Sequence, residues 1–276
     1  MKRIFTSLFL CTWLLTACNQ ESSIGSLMAI KETNMTLKEE IPQDFIPKIY
    51  HVVSVGDSLT QGVGDSTNRG GYLPYLEEHL EEQKGIKDAV IQNYGVKGNR
   101  TSQILHRIQT TEIRGALKKA DIVMITTGGN DVMKVVRENF LELELDDFDH
   151  ELNLYQENLN SILESIREEN KEALICLIGL YNPFYSYFTD IKELNTVMDN
   201  WNEVSQIVLA NYENTIFVDI AEDFKDSEEN LLFTDYFHPN DRGYELIAER
   251  AFSVLQEEAF DNKYFALKRE NDKHEE

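Results

Sequence analysis

The chain has 276 residues, of which 42% are hydrophobic and 27% charged, a balance that excludes a disordered polymer and allows one or two globular domains. With 49 acidic residues against 26 basic ones the formal charge is -23, so the body repels phosphate backbones and nucleic acid is excluded as an expected partner. Most of that charge serves solubility.

The first elements in chain order are not part of a fold. Lys2 and Arg3 precede a mostly apolar stretch, Ile4 to Leu15, and small residues follow at Thr16, Ala17 and Cys18. The stretch is short for a bilayer span and has the layout of a secretory signal peptide. Its ending, Leu15-Thr16-Ala17-Cys18, resembles a bacterial lipobox. That resemblance implies a cut before Cys18 and lipid on its sulfur and amine, and two or more acyl chains anchor stably where one does not. The expected divisions are a lipoprotein signal peptide over 1–17, a lipidated N-terminus and tether over 18–47, a folded domain over 48–260 and a charged tail over 261–276. Cys11 leaves with the signal, so no disulfide framework is expected within one mature chain. Cys176, inside the apolar run 173–179, reads as core filler.

From Lys48 onward the pattern alternates. Strands are expected over 49–55, 89–93, 122–127, 173–178 and 215–220, and helices over 72–83, 102–117, 148–169, 194–211 and 239–256, with Pro239 in the first turn of the last. Strands separated by helices argue a parallel sheet covered on both faces. The polar clusters all follow strands: Ser58 the first, Gly98 and Asn99 the second, Asn130 and Asp131 the third. In open parallel sheets, ligands bind beyond the carboxyl ends of the strands, so these clusters share one rim.

An acyl-transfer site needs a serine, a histidine to take its proton, a group to orient that histidine, and donors for the oxyanion. Asp235-Tyr236-Phe237-His238-Pro239 supplies base and orienter: a carboxylate three residues before His238 can reach its Nδ1 and leave Nε2 for Ser58. The N–H groups of Ser58 and Gly98 and the side-chain amide of Asn130 can serve as oxyanion donors, although Gly95 competes with Gly98 and Asn130 can equally be the N-cap of a following helix. Asp57 reads as loop support, Asp131 as a cap, and Arg69-Gly70-Gly71-Tyr72 as a lead-in to a helix. The aromatic segment from Tyr181 through Phe184 and Tyr185 to Phe188 can line an acyl pocket or pack onto a helix. His51, His79, His106 and His150 lack clustered ligands, so no metal and no cofactor are expected.

Val55-Gly56-Asp57-Ser58-Leu59-Thr60 resembles the first block of the GDSL, or SGNH, hydrolase superfamily. Gly98-Asn99 is similar to its second block, Gly128-Gly129-Asn130-Asp131 to its third, and Asp235 with His238 to its last. The blocks fall in order between about Ile49 and Leu255, and with the lipobox the chain looks most like the lipase/acylhydrolase-like lipoproteins of Gram-positive bacteria. The resemblance implies a three-layer α/β/α sandwich with a mainly parallel, flavodoxin-like sheet, and metal-free hydrolysis of small-molecule, lipid or glycan esters. It implies Ser58 as nucleophile, His238 as base, Asp235 as its orienter, and Gly98 and Asn130 as oxyanion donors. The expected location is the extracytoplasmic face of a membrane, held by lipid on Cys18. Transfer of an acyl group to an envelope glycan would use the same residues, and a non-catalytic surface binding protein on the same fold is the remaining alternative.

Overall fold

The computed structural model describes residues 47–139, 142–185, 192–225 and 227–260. The expected signal peptide, Cys18, the tether up to residue 46 and the tail from 261 lie outside the described residues. Five strands, β1 (Lys48–Gly56), β2 (Ile86–Gly95), β3 (Ile122–Thr126), β4 (Leu174–Ile178) and β5 (Thr215–Val218), form one sheet in the order β2-β1-β3-β4-β5. Each neighbouring pair is parallel. This is the flavodoxin-like order, whose switch point lies beside β1, where one connection runs to one side and the next to the other.

The central strands are mostly apolar and alternate between two cores because both faces of the sheet are covered. Val53, Val55, Val123, Ile125, Ile175 and Leu177 point into one core; Val52, Ile122, Met124, Leu174, Cys176 and Ile178 point into the other. The first core is roofed by α3 (Thr101–Ile108), α4 (Thr111–Leu117), α5 (Gly129–Glu138), α6 (Asp149–Glu169) and α7 (Lys192–Leu209). The second is roofed by α2 (Leu73–Glu81), through Leu73, Leu76 and Leu80, and by α9 (Asp241–Leu255), through Tyr244, Ile247, Ala251 and Leu255. Short helices α1 (Ser58–Gln61) and α8 (Ala221–Lys225) follow β1 and β5. Cys176 is a free, buried thiol in the second core, and burial pushes its pKa up.

Three expectations change. The second strand is twice the expected length, running from Ile86 to Gly95. It is a sheet edge, with Lys87, Asp88, Gln92 and Asn93 along it, so the apolar signal that marks a central strand is missing. The helix expected over 102–117 is two helices, because Thr110 turns to an extended conformation (ψ 148°) and its hydroxyl donates to the Arg107 carbonyl. The last helix starts after Pro239, at Asp241: Asn240 is its N-cap, accepting from the Gly243 N–H at 3.0 Å.

Candidate active site

The end of β1 is pressed against β3. A Cβ on Gly56 would lie 2.3 Å from Thr126 Oγ1 and 2.7 Å from the Thr126 carbonyl oxygen, so only glycine lets the chain turn there. Asp57 then caps α1. Its Oδ1 accepts from the Leu59 N–H at 3.0 Å and from the Thr126 hydroxyl at 2.8 Å. Burial pushes the Asp57 carboxyl up, opposed by those two hydrogen bonds. Ser58 follows as the first residue of α1, 2% exposed. Its N–H belongs to the first turn, where no intrahelical carbonyl can accept it.

His238 arrives on the loop between α8 and α9. The Asp235 carboxylate organises that loop: Oδ1 accepts from the N–H groups of Phe237 (3.1 Å) and His238 (3.0 Å), and Oδ2 meets His238 Nδ1 at 2.6 Å. Nε2 of the same ring lies 3.0 Å from Ser58 Oγ. A carboxylate on Nδ1 fixes the hydrogen there and leaves Nε2 to accept from a hydroxyl. Burial raises the Asp235 carboxyl, but hydrogen bonds from the His238 ring and from the two N–H groups outweigh it and hold the pKa below its usual value. Tyr236 between them has φ 56°, the left-handed region that non-glycine residues rarely enter. The loop is strapped from outside: the Tyr181 hydroxyl donates to the Phe237 carbonyl at 2.6 Å, and the Phe233 N–H to the His238 carbonyl at 2.8 Å.

The glycine that ends β2 and the one that follows it in the next turn separate clearly. Gly95 donates its N–H to Asn93 Oδ1 at 2.8 Å, and a Cβ on it would sit 2.2 Å from the Gln61 nitrogen. Gly95 is therefore a close-approach residue. Gly98 has φ 80° and nothing within 4 Å of where a Cβ would be, so it faces open space. After β3, Gly128 (φ 102°) holds the N-cap position of α5. Asn130 is thus within the first turn and is not the cap, which removes the competing use of its side chain. One Nδ2 hydrogen goes to the Asn99 carbonyl at 3.0 Å, and the amide's second hydrogen is available to a ligand. Asp131 does cap a helix, but a neighbouring one: its carboxylate accepts from the N–H of Thr101, first residue of α3 (3.0 Å), and from the Thr101 hydroxyl (2.8 Å). Burial pushes its pKa up to about 6 against those hydrogen bonds. Asn99 Nδ2, beside this contact, is buried without a hydrogen-bond partner among the described residues.

Ser58 and Asn130 line one cleft together with Thr127, Gly129, Ile178, Leu180, Tyr181, Pro183, Met198 and Phe237. Of the three aromatic residues singled out in the sequence, Tyr181 is in this wall, but it is 7% exposed, stacks on Phe224 with ring centroids 4.0 Å apart and has its hydroxyl committed to Phe237. Phe184 packs against the first core. Tyr185 lines cavities on the other side of Pro183. Leu180, Met198 and Phe237 were not legible as site residues, since Leu180 carries no chemistry and Met198 reads as the buried face of a helix, whereas Pro183 lies inside the 181–188 segment already read as able to line an acyl pocket. Among the described residues, no group of three or more His, Cys, Asp or Glu side chains is arranged to hold a metal ion.

Residues 54–246 match the model of the GDSL-like Lipase/Acylhydrolase family. The chain is 33% identical over 258 residues to the uncharacterized protein YpmR of Bacillus subtilis, covering 93% of this chain and 97% of that one. It is 31% identical over 206 residues to the spore germination lipase LipC of Bacillus licheniformis, covering 71% and 92% respectively. Among solved structures it is similar to the lipase Lip_vut3 from a goat rumen metagenome, with a TM-score of 0.68 and 28% identity over 74% of this chain and 97% of that one.

Proposed function

The chain belongs to the GDSL-like lipase/acylhydrolase family and is an esterase by that membership, and from this premise we propose that it cleaves esters with a Ser58-His238-Asp235 triad. The observation that carries the reading is the unbroken line of contacts from Asp235 through His238 (2.6 Å) to Ser58 (3.0 Å). In this mechanism Ser58 Oγ attacks the acyl carbonyl as its proton passes to His238 Nε2. The oxyanion takes hydrogen bonds from the N–H groups of Ser58 and Gly98 and from the Asn130 amide. The C–O bond to the alcohol then breaks, and His238 returns the proton to the leaving oxygen. Water, deprotonated by the same Nε2, attacks the acyl-enzyme and releases the acid with Ser58 restored. Asp235 stays ionised well into acid, holding the imidazole tautomer throughout.

Reaction with a fluorophosphonate, followed by mass spectrometry of the Ser58 peptide, tests this reading. An adduct on Ser58 and loss of ester hydrolysis in Ser58→Ala are expected. A folded protein that gains no adduct, and whose Ser58→Ala variant behaves as the parent, would be a binding protein instead.

The same reading includes a membrane anchor. Lys2-Arg3, the apolar stretch to Leu15 and the Leu15-Thr16-Ala17-Cys18 ending support lipid on Cys18 and an extracytoplasmic location. Growth with an alkynyl fatty acid should label the parent and not Cys18→Ala. Equal labelling of both would place any lipid elsewhere.

A further inference from the structure

The cleft continues from Ser58 along an apolar wall made by Ile178, Leu180, Pro183, Met198 and Phe237. Asp57, which also lines the cleft, has its Oδ1 engaged by the Leu59 N–H and the Thr126 hydroxyl. A second cavity lies beyond, lined by Asn182, Asn195, Asp199, Glu222 and Lys225 among others. Met198, on α7, is the residue that lines both among those described. It is 5% exposed, so its side chain is a partition between an apolar space open to the nucleophile and a polar space behind.

We propose that this apolar space seats the acyl group of the substrate and that Met198, as its end wall, limits acyl-chain length to short and medium chains. The proposal rests on the triad reading above. Two physical points carry it. Once the alcohol has left, the acyl group stays esterified to Ser58 until water arrives, so the walls adjoining Ser58 act on the acyl group for the whole life of the intermediate. The alcohol, by contrast, must depart with the His238 proton by an open route. The second point is chemical. Ile178, Leu180, Pro183, Met198 and Phe237 offer hydrocarbon and thioether to an unbranched alkyl chain, in a cleft shared with the polar side chains of Asp57, Thr126, Thr127 and Asn130. Past Met198 the lining turns to carboxylates and amides, which would leave a longer chain among groups it cannot satisfy. A methionine is unbranched and adaptable, so the end wall yields slightly to chains of neighbouring length and stops longer ones.

The test is kcat/KM for p-nitrophenyl esters from acetate to dodecanoate, measured on the full chain purified in detergent, for the parent, Met198→Ala and Met198→Phe. Met198→Ala removes three heavy atoms from the wall, so its optimum should move up by about two or three carbons, with the long-to-short ratio rising roughly tenfold or more. Met198→Phe should move the optimum the other way; because it leaves no gap, it keeps the test alive if the alanine variant is too unstable to assay. Variants that are labelled on Ser58 by fluorophosphonate yet keep the parent's order of chain lengths would overturn the proposal and leave the triad reading intact. A change confined to acetyl esters of different alcohols would also overturn it, by assigning the space to the alcohol. Undiminished hydrolysis by Ser58→Ala would instead remove the triad reading itself.

Discussion

On the His238 side of Ser58 the groups proposed to react touch one another, with Asp235, His238 and Ser58 joined at 2.6 and 3.0 Å and the loop tied down by Tyr181. On the Asn130 side the groups proposed to receive the oxyanion are held through their neighbours. Asn130 is fixed by one hydrogen to the Asn99 carbonyl, and the first turns of α5, which carries Asn130, and of α3, which follows Gly98, are joined by Asp131 to Thr101. The difference follows from what each half must do. A base has to be aligned with its nucleophile before substrate arrives, so its partners can be permanent. An oxyanion donor serves a charge that exists only during reaction, so its hydrogen must be kept free and its position fixed indirectly.

The largest expected effects test the directly joined half. Ser58→Ala and His238→Ala should each lower kcat by about 10⁴ to 10⁶-fold, and the double variant by scarcely more, since the pair acts as a unit. Additive losses in the double variant would break the idea that the two are one device. Asn130→Ala should cost about 10² to 10³-fold in kcat, with KM little changed. A loss as large as that of His238→Ala would mean that Asn130 also holds the nucleophile loop, and the contrast between halves would disappear.

Asp131→Asn probes the indirect tie and should lower kcat by roughly tenfold, in line with the loss of a supporting hydrogen-bond partner. It also has a pH signature. A carboxyl raised to about 6 in the folded state favours folding while protonated, and that contribution is lost as pH rises from about 4 through 6. Between pH 4 and pH 7 the parent should therefore lose stability relative to Asp131→Asn, by on the order of 3 kcal/mol. Urea unfolding at the two pH values reads it, and a constant gap would show that Asp131 does not titrate in this window. The smallest effect is expected for Tyr181→Phe, which deletes one hydrogen bond to the His238 loop: about 0.5 to 1.5 kcal/mol of stability. A few-fold drop in kcat with unchanged chain-length preference would mark Tyr181 as a positioning residue; a changed preference would make it part of the acyl wall.

Much of this was legible in the sequence. The three inner strands β1, β3 and β4 announce themselves because burial on both faces demands largely apolar runs, and Ser58, Asn130, Asp235 and His238 were picked out by the chemistry that acyl transfer needs. What was hidden has physical reasons. The edge strand β2 is half-solvated, so its true ends at Ile86 and Gly95 leave no apolar trace. The break at Thr110 involves neither glycine nor proline. Asp131 looks like the cap of its own helix because local spacing cannot tell which helix a carboxylate serves. The proposed acyl wall is hardest of all: Leu180 and Pro183 follow β4, Met198 sits on α7 and Phe237 precedes His238, and only packing brings them to one cleft.

Ser58 and His238 are separated by 180 residues, and this distance orders events in time. A ribosome making the chain completes all five described strands, ending at Val218, before it adds the proposed base. Until then the nascent protein carries Ser58 without its proposed proton acceptor. The same holds in reverse at the end of the protein's life. On the proposed mechanism, a protease cut in the loop before Asp235 that released the C-terminal segment would remove the base together with α9, leaving the strands covalently joined but the second core uncovered.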